Sequence, residues 1–305
     1  MPDLELTVAI PTYNRRDLLE RALQSVLGQR LPGLEVLVID DASTDGTAEF
    51  LAGMHSELRY FRQPENKGVA AARNQAVQLA TGPWVLFLDD DDTMLPGAFD
   101  CIARRLTSFA EAKQFPVLLF ARTNGSVPAD FVLLTMEDLI SGVLKGDFAP
   151  LINRELFLGK GLQYPERLRS GESLLWLRIA LQFGIPTWAD HIQCLNLDAP
   201  NRLTSIAYQL AHPVELAQLQ EALLHEFGAV LSAKFPTYYS KKLLGAAAYR
   251  LLARDRDSAR GHIKTALRYR ISMQALGLWL FSFLPATFTK RAFFGYRRRV
   301  NGLGA

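Results

Sequence analysis

Short apolar runs alternate with helical patterns over roughly the first 120 residues of the chain. The apolar runs lie at residues 6–10, 34–39, 58–61 and 84–88. The helical patterns, in which apolar residues recur every three or four positions, lie at residues 17–29, 47–54 and 69–80. Runs of β-formers without polar alternation are typical of strands buried on both faces. The alternation therefore predicts an α/β fold with a mainly parallel sheet that is covered by helices.

The pattern becomes less regular over residues 117–201 and is then helical to the end of the chain. The predicted elements there are strands at 117–120 and 131–134, a helix at 174–183, and long helices at 214–231 and 241–254. We therefore predict a first domain over residues 1–204 and a helical extension over residues 205–305.

Three polar loops follow predicted strand ends, at residues 11–15, 40–46 and 89–92. In parallel sheets, ligands bind in the crevice beyond the carboxyl ends of the strands. We therefore predict that the three loops converge on one crevice.

The third loop, which we call the acidic turn, consists of four consecutive aspartates at residues 89–92. Four like charges in one turn repel each other unless a cation lies among them. Oxygen ligands at this spacing suit Mg²⁺ or Mn²⁺, which usually also hold substrate phosphates. The alternative is a solvated acidic turn before a helix, and the turn by itself leaves that alternative open.

Composition excludes several classes of protein. The chain has 305 residues, about half of them apolar, which argues against disorder. Its net charge of +3 gives no reason to expect a nucleic acid partner. Cys101 and Cys194 lack metal-ligand or disulfide spacing, which suits a reducing cytosol. The acidic N-terminus is not a signal peptide, and we expect a cytoplasmic protein.

Four segments together resemble family 2 glycosyltransferases, which invert the anomeric centre and have the GT-A fold. They are residues 8–15 (VAIPTYNR), 38–47 (VIDDASTDGT), 66–74 (NKGVAAARN) and 87–92 (FLDDDD). A looser fifth match is residues 161–166 (GLQYPE), which lead into residues 171–178 (GESLLWLR). The resemblance implies a mixed, mainly parallel, Rossmann-like sheet flanked by helices. It also implies that residues 1–120 bind a nucleotide-sugar and that residues 121–204 form the acceptor side.

The resemblance places Pro11, Tyr13, Asp41, Gly68 and Arg73 in the nucleotide-sugar site. Tyr13 would stack on a nucleobase, or else pack within its loop. Asp41 would accept a hydrogen bond from a uracil ring N–H. Gly68 would allow a close approach of backbone to ligand, although the start of a helix needs the same residue type. Arg73 would bind nucleotide oxygens, or alternatively form a salt bridge with the acidic turn.

The same resemblance assigns different roles to the four aspartates. Asp89 and Asp91 correspond to the outer acids of an Asp-x-Asp element, which serve ribose and metal, and Asp91 is the first choice for Mn²⁺ or Mg²⁺. Asp90 would contact ribose, and Asp92 would be structural. In the loop at residues 40–46, Asp45 is expected to shape the turn and cap the following helix.

The general base is predicted to be Glu172. Family members usually carry Glu-Asp at the start of this helix, with the aspartate as base, whereas this chain has Glu172 followed by Ser173. Serine cannot act as the base without an activating partner, so Glu172 is the acid that remains at this position. The alternative is an ordinary helix-start acid favoured by the helix dipole.

The C-terminal segment at residues 271–299 is apolar and aromatic at first, then basic. It has two interpretations. It is either a buried helix and turn, or a segment that lies in the interface of an anionic membrane on the inner face of the plasma membrane.

The predicted function is metal-dependent, inverting transfer of a sugar from a nucleotide-sugar, a UDP-sugar, to a glycan or lipid-linked acceptor in surface polysaccharide biosynthesis. One rival is a sugar-phosphate nucleotidyltransferase, but residues 11–14 (PTYN) are not the glycine-rich triphosphate loop that it needs. The other rival is a catalytically silent nucleotide-sugar-binding or scaffold protein, because the usual Glu-Asp pair is absent.

Overall fold

A computed structural model describes residues 5–29, 31–54, 56–168, 171–197 and 211–284. The chain divides into two compact units. The first, which we call the sheet unit, comprises residues 1–167 and 171–200, and the second, the helical unit, comprises residues 168–170 and 201–305.

In the part of the chain that the structure describes, nine strands form one mixed sheet. The strands are β1 (Leu6–Thr12), β2 (Leu34–Asp40), β3 (Arg59–Arg62), β4 (Trp84–Phe87), β5 (Thr93–Met94), β6 (Val117–Arg122), β7 (Phe131–Leu134), β8 (Phe148–Asn153) and β9 (Ile185–Cys194). Their order is β3-β2-β1-β4-β8-β6-β9-β5, and β7 pairs with β9. The four strands β3, β2, β1 and β4 are parallel to one another, whereas β8 is antiparallel to both of its neighbours.

Helices cover the sheet and form the second unit. In the sheet unit they are α1 (Arg16–Leu27), α2 (Thr47–Ala52), α3 (Val69–Leu79), α4 (Ala98–Ser108), α5 (Met136–Ser141), α6 (Arg154–Gly159) and α7 (Glu172–Gln182). In the helical unit they are α8 (Pro213–Lys234), α9 (Pro236–Leu252), α10 (Arg256–Tyr269) and α11 (Met273–Phe281).

Alternate residues of the central strands supply two separate cores. On β1, Val8 and Ile10 join the core that contains Leu23 of α1, whereas Ala9 joins the core that contains Val77 of α3. Successive strand residues point to opposite faces, so one apolar run serves both layers of helices. This arrangement confirms the predicted α/β sheet with helices on both faces.

Each strand and helix predicted for the first 120 residues is present, with ends that differ by a few residues. The pattern missed β5, α4, α5 and α6, for which no element was predicted. It also missed the strands β8 and β9, which lie in the less regular region. Each contains a proline, Pro150 in β8 and Pro186 in β9, and proline weakens a strand prediction because it cannot donate to the ladder. Strand β9 also shifts register against β6, so its side-chain pattern does not alternate cleanly.

The helical unit has its own apolar core. Leu244 and Leu251 of α9 pack with Ile263 of α10 and with Ala275 of α11. Of the predicted C-terminal segment, residues 271–284 are described and the remainder lies outside the described residues. Among the described helices, none is long and apolar enough to span a bilayer.

Candidate active site

The three polar loops meet at one edge of the sheet, which confirms that prediction. The Asn14 main-chain N–H donates to Ser43 Oγ at 2.9 Å, and Asn14 Oδ1 accepts from the Thr44 main-chain N–H at 2.7 Å. Thr12, the last residue of β1, donates from Oγ1 to Asp90 Oδ2 at 2.8 Å. The loops after β1, β2 and β4 are therefore joined directly, because parallel strands deliver their carboxyl ends to the same edge.

Three arginines neutralise most of the acidic turn. Arg122 Nη1 lies 2.8 Å from both Asp89 Oδ2 and Asp92 Oδ2. Arg15 Nη1 lies 3.0 Å from Asp90 Oδ1 and 3.2 Å from Asp91 Oδ2.

The third arginine is Arg73, whose Nη2 lies 2.7 Å from Asp89 Oδ1. The turn is therefore an ion-paired cluster, which rules out the solvated acidic turn as its description.

The four carboxyl groups differ in their surroundings. Burial alone would raise the pKa of Asp89, but Arg122 and Arg73 outweigh it and hold that pKa well below its usual range. Burial raises the pKa of Asp90 from its usual value of 3.8 to about 6, against the opposing effects of Arg15 and Thr12. Burial likewise raises the pKa of Asp92 to about 6, although Arg122 opposes it.

Two of the aspartates are mainly structural in this arrangement. Both Asp90 oxygens are bonded, to Thr12 and Arg15, and its side chain is 5% exposed. This geometry gives no support to the predicted ribose contact of Asp90. Asp92 is fully buried, and its second oxygen accepts from the Asn196 main-chain N–H at 3.0 Å, in keeping with the expected structural role.

The residues of the turn fit a divalent cation. Asp89, Asp91 and Asp92 each offer one oxygen, and these oxygens lie within 4.8 Å of one another. The ion-paired cluster contains five carboxylates and three guanidiniums, those of Asp89, Asp90, Asp91, Asp92 and Glu172 and those of Arg15, Arg73 and Arg122. These ion pairs carry a formal charge of −2 before Arg21 is counted, whose Nη2 donates to the Asp91 main-chain oxygen at 2.9 Å. Carboxylate oxygens are the ligands that Mg²⁺ and Mn²⁺ prefer.

Glu172 of α7 belongs to the same ion-paired cluster. It is the first residue of that helix, and its carboxylate pairs with Arg73 Nη1. Ser173, which follows it, is exposed and does not line the cavity described below, whereas Glu172 does. Arg73 therefore takes the alternative expected for it, a salt bridge to the acidic turn, and joins Asp89 to Glu172.

The predicted nucleotide residues lie around the edge of this cluster. Tyr13 is 45% exposed, so its ring is accessible, and Pro11 lies in β1 beside Ile39 of β2. Asp41 is buried, and it accepts from the main-chain N–H groups of Lys67 at 2.8 Å and Gly68 at 2.7 Å.

Asp41 thus holds the turn that leads into α3, and Gln63 donates to it as well. Gly68 stands at the N-terminal end of α3 with φ +88° and ψ 163°, a conformation that is essentially restricted to glycine. The structure does not place the Asp41 carboxylate on an open surface, and its uracil contact remains a prediction.

Asp45 has the role expected for it. Its Oδ1 accepts from Thr47 Oγ1 at 2.5 Å and from the Thr47 main-chain N–H at 3.3 Å, at the start of α2. Its Oδ2 accepts from the Arg16 main-chain N–H at 3.0 Å, at the start of α1. One carboxylate therefore ties two helix starts together.

Sequence reasoning assigned no role to Arg15 or Arg122. Arg122 ends β6 and is 7% exposed, and a charge at the end of an apolar strand, on the edge where the loops meet, was the available signal. Arg15 is the last residue of the segment at 8–15 that resembles family 2 glycosyltransferases. That segment does not indicate which acid the arginine will contact.

A cavity of about 370 Å³ opens beside the cluster within the sheet unit. Asp89, Glu172, Arg73 and Arg122 form its charged side, and the remainder is mostly apolar or aromatic. The other lining residues are Leu119, Leu139, Leu144, Gly146, Asp147, Phe148, Pro150, Tyr164, Trp176 and Ile185. A cavity of this size with a few convergent polar groups is typical of a small-molecule site.

Known structures share this fold. The crystal structure of residues 1–349 of S. aureus TarS in complex with UDP-GlcNAc superposes with a TM-score of 0.58 at 19% identity, covering 87% of this chain and 90% of that one. The mannosyltransferase PcManGT from Pyrobaculum calidifontis, in complex with GDP-Man and Mn²⁺, gives a TM-score of 0.54 at 21% identity, covering 94% and 83%. The fold is therefore that of the GT-A class of glycosyltransferases.

Sequence comparison finds similarity to a family and to individual proteins. Residues 7–110 match the model of glycosyl transferase family 2. A GalNAc(5)-diNAcBac-PP-undecaprenol beta-1,3-glucosyltransferase of Campylobacter jejuni is 27% identical over 187 residues, which are 57% of this chain and 59% of that protein. The succinoglycan biosynthesis protein ExoO of Rhizobium meliloti is 29% identical over 212 residues, which are 60% and 57% of the two chains. The matches thus span less than two thirds of either relative.

Proposed function

We propose that this protein is a metal-dependent, inverting glycosyltransferase that moves a sugar from a UDP-sugar to a hydroxyl group of a glycan or lipid-linked acceptor in surface polysaccharide biosynthesis. One observation carries the proposal. The accessible Tyr13 and the acidic turn follow strands that end at one edge of the sheet, and Asp89 of that turn lines one cavity together with Glu172. The glucosyltransferase from Campylobacter and the ExoO protein, as named, support the choice of acceptor class.

The donor would lie with its base on Tyr13 and its diphosphate over the acidic turn. Asp91 and Asp89 would hold Mn²⁺ or Mg²⁺, which would neutralise the diphosphate as it leaves. The UDP-GlcNAc complex of TarS supports a uridine nucleotide, although its 19% identity extends only to the fold.

Glu172 would act as the general base. Its side chain is 40% exposed and lines the cavity, so an acceptor hydroxyl can reach it. In a single displacement the acceptor oxygen would attack the anomeric carbon from one side while the bond to the diphosphate oxygen breaks on the other. The hydroxyl proton would pass to Glu172, and the electron pair of the broken bond would leave with UDP.

The cavity beside these acids, of about 370 Å³, has room for a sugar ring. Trp176 and Phe148 offer aromatic surfaces for the apolar face of a pyranose ring, and Asp89 and Glu172 offer hydroxyl acceptors. We propose residues 1–204 as the catalytic domain, with residues 121–204 on the acceptor side.

The test is the release of UDP from a panel of UDP-sugars with Mn²⁺, in the presence of membrane extract as a source of acceptors. We expect release by the wild type and loss of at least about 100-fold in Glu172→Gln, as for the removal of a general base. Glu155→Gln, which changes another first-turn acid in α6, should turn over normally. Unchanged turnover in Glu172→Gln would show that Glu172 is not the base.

The silent nucleotide-sugar-binding protein remains the second candidate, because Ser173 stands where the family usually has aspartate. It predicts binding of UDP-sugar without any turnover that an acceptor stimulates. The same assay separates the two, provided that donor binding is measured in parallel by calorimetry.

We also propose peripheral association with an anionic membrane through the C-terminal part of the helical unit. The solvent-exposed stripe of α11 and the residues after it is apolar, with Met273, Leu276, Leu280 and Phe283 at helical spacing. Met273 is 84% exposed and Leu280 is 67% exposed, whereas a helix that only packs on its own core exposes polar residues.

A basic row on α10 borders this stripe. Arg256, Arg260, Lys264 and Arg268 recur every fourth residue. The Arg260 guanidinium lies 4.4 Å from the centre of the Phe283 ring, and Lys264 Nζ lies 5.8 Å from that of Trp279. Apolar side chains beside a row of cations match the acyl boundary and the phosphates of an anionic bilayer.

A further inference from the structure

Arg15 stands between the accessible base-side residue and the acidic turn. It is the residue immediately before α1, two positions after Tyr13, and its side chain is 29% exposed. The side chains of the other two arginines of the ion-paired cluster, Arg73 and Arg122, are 10% and 9% exposed, and each is held by two carboxylates. Arg15 is therefore the most accessible cation of that cluster.

One nitrogen of Arg15 makes all of its ion pairs with the described residues. Nη1 contacts both Asp90 and Asp91, whereas Nε and Nη2 have no hydrogen-bond partner in the described part of the chain. The Arg15 side chain as a whole is 29% exposed, so a ligand can reach it. The Nε and Nη2 edge of a guanidinium carries parallel N–H groups that match two oxygens of a phosphate.

We propose that Arg15 is a donor-binding residue that holds the diphosphate through its Nε and Nη2 edge and gives up Asp91 to the cation. This inference rests on the proposed function. Before ligands bind, the Arg15 guanidinium lies 3.2 Å from Asp91 Oδ2, at the acid proposed as the first metal ligand. A divalent cation there repels the guanidinium, and the diphosphate offers it a new partner.

Arg15 thereby couples the binding of the cation to the binding of the diphosphate. Without nucleotide it competes with the cation for Asp91, and with nucleotide it stabilises the same diphosphate that the cation binds. Asp90 keeps its bond from Thr12 when Arg15 moves, so the loop stays anchored. The two effects of Arg15 therefore have opposite signs, one on the cation and one on the diphosphate.

The experiment uses the full chain and the variants Arg15→Gln, Arg15→Lys and Arg16→Gln. Affinity for UDP with Mn²⁺ and for uridine is measured by calorimetry, and affinity for Mn²⁺ alone is measured by electron paramagnetic resonance. In Arg15→Gln we expect UDP binding to weaken by about 10-fold or more and uridine binding to stay unchanged, since uridine has no phosphate. Mn²⁺ binding without nucleotide should become several-fold tighter, because Asp91 is released.

Arg15→Lys should show a smaller loss for UDP, because lysine keeps the charge but not the planar fork. Arg16 stacks on the Phe50 ring, 5.5 Å from its centre, and Arg16→Gln should leave all three affinities unchanged. A thermal unfolding curve for each variant shows that it is folded.

Equal UDP affinity in the wild type and in Arg15→Gln would overturn the diphosphate contact. Weaker Mn²⁺ binding in Arg15→Gln would overturn the competition for Asp91. A wild type that binds neither UDP nor uridine would overturn the proposed function and the diphosphate contact together, and the Mn²⁺ titration would still decide the competition by itself.

Discussion

Arg73 forms an ion pair with Glu172, across 99 positions of the chain, while its second terminal nitrogen holds Asp89 at 2.7 Å. The proposed base and one proposed metal ligand are therefore bound by the same guanidinium. Any movement of Arg73 therefore changes the surroundings of both acids at once.

Arg73→Gln should lower the free energy of unfolding by roughly 2–4 kcal/mol, because it removes a buried guanidinium that pairs with two acids and leaves the partly buried Asp89 with Arg122 as its remaining partner. Equilibrium denaturation in urea measures the change. Arg104→Gln is the matched control, since Arg104 is 66% exposed and its contact with Asp190 is 3.5 Å long, and it should change the free energy by less than about 0.5 kcal/mol. Equal effects of the two substitutions would show that the buried pairs are not what holds this site.

Asp91→Ala should abolish metal-dependent donor binding while leaving the fold intact, because Asp91 supplies one of the three clustered oxygens. Calorimetry with UDP, with Mn²⁺ and then with EDTA, measures the loss. Asp100→Ala, which changes an exposed acid in α4, is the control. If neither EDTA nor Asp91→Ala changes the affinity for UDP, the metal has no part in donor binding and the proposed mechanism is wrong on this point.

Tyr60→Phe should destabilise the protein, whereas Tyr164→Phe should not. The Tyr164 hydroxyl is buried and has no hydrogen-bond partner among the described residues, while its ring packs against Phe87 and Trp176. Its removal should leave the free energy of unfolding unchanged or raise it by up to about 1 kcal/mol. The Tyr60 hydroxyl donates to the buried Asp40 carboxylate at 2.8 Å, and its loss should cost about 1–3 kcal/mol. Thermal and urea denaturation of both variants test the contrast, and a destabilised Tyr164→Phe would contradict it.

Asp90 should make the protein less stable as the pH rises from about 4 to about 6. Its pKa is raised from 3.8 to about 6 in the folded protein, so in this window the folded state holds a proton that the unfolded chain has lost. Each unit of such a shift corresponds to about 1.4 kcal/mol. The stability of Asp90→Asn relative to the wild type should therefore increase between pH 4 and pH 6, as measured by urea denaturation at each pH. Asp100→Asn is the control, and a constant difference for Asp90→Asn would show that this carboxyl group is ionised throughout.

The α11 stripe should bind anionic vesicles. Leu280→Glu and a chain truncated before Ile271 should lose sedimentation with vesicles of phosphatidylglycerol and phosphatidylcholine, because the first places a charge at the acyl boundary and the second removes the stripe. Leu181→Glu is the matched control, since Leu181 is an exposed leucine of the sheet unit, 46% exposed. Sedimentation that persists in both changed proteins, or that is equal with pure phosphatidylcholine, would count against the proposal.

Much of the fold could be predicted because the first 120 residues carry a strong local signal. Leu6, Val8 and Ile10 on one face of β1, with Ala9 on the other, are enough to indicate a strand buried on both sides. The signal fails at β8 and β9, where Pro150 and Pro186 contradict strand propensity and tertiary packing overrides it.

The candidate site could likewise be predicted only in part. The loop positions of Tyr13, Asp41 and the acidic turn follow from the parallel direction of the strands, because parallel strands end at the same edge of a sheet. The expected ribose contact of Asp90 was not supported, because nothing local indicates that Thr12 and Arg15 will occupy both of its oxygens.

The sequence by itself determined the alternation of strands and helices over the first 120 residues and the edge at which the polar loops meet, since both are encoded in residues that lie close together along the chain. The tertiary structure alone decided which arginine neutralises which acid. Arg122 reaches Asp89 from β6, 33 positions away, and Arg73 reaches Glu172 from α3. Charges can pair in many ways in an unfolded chain, and the packing of α3, α7 and β6 around one cavity selects a single set of partners.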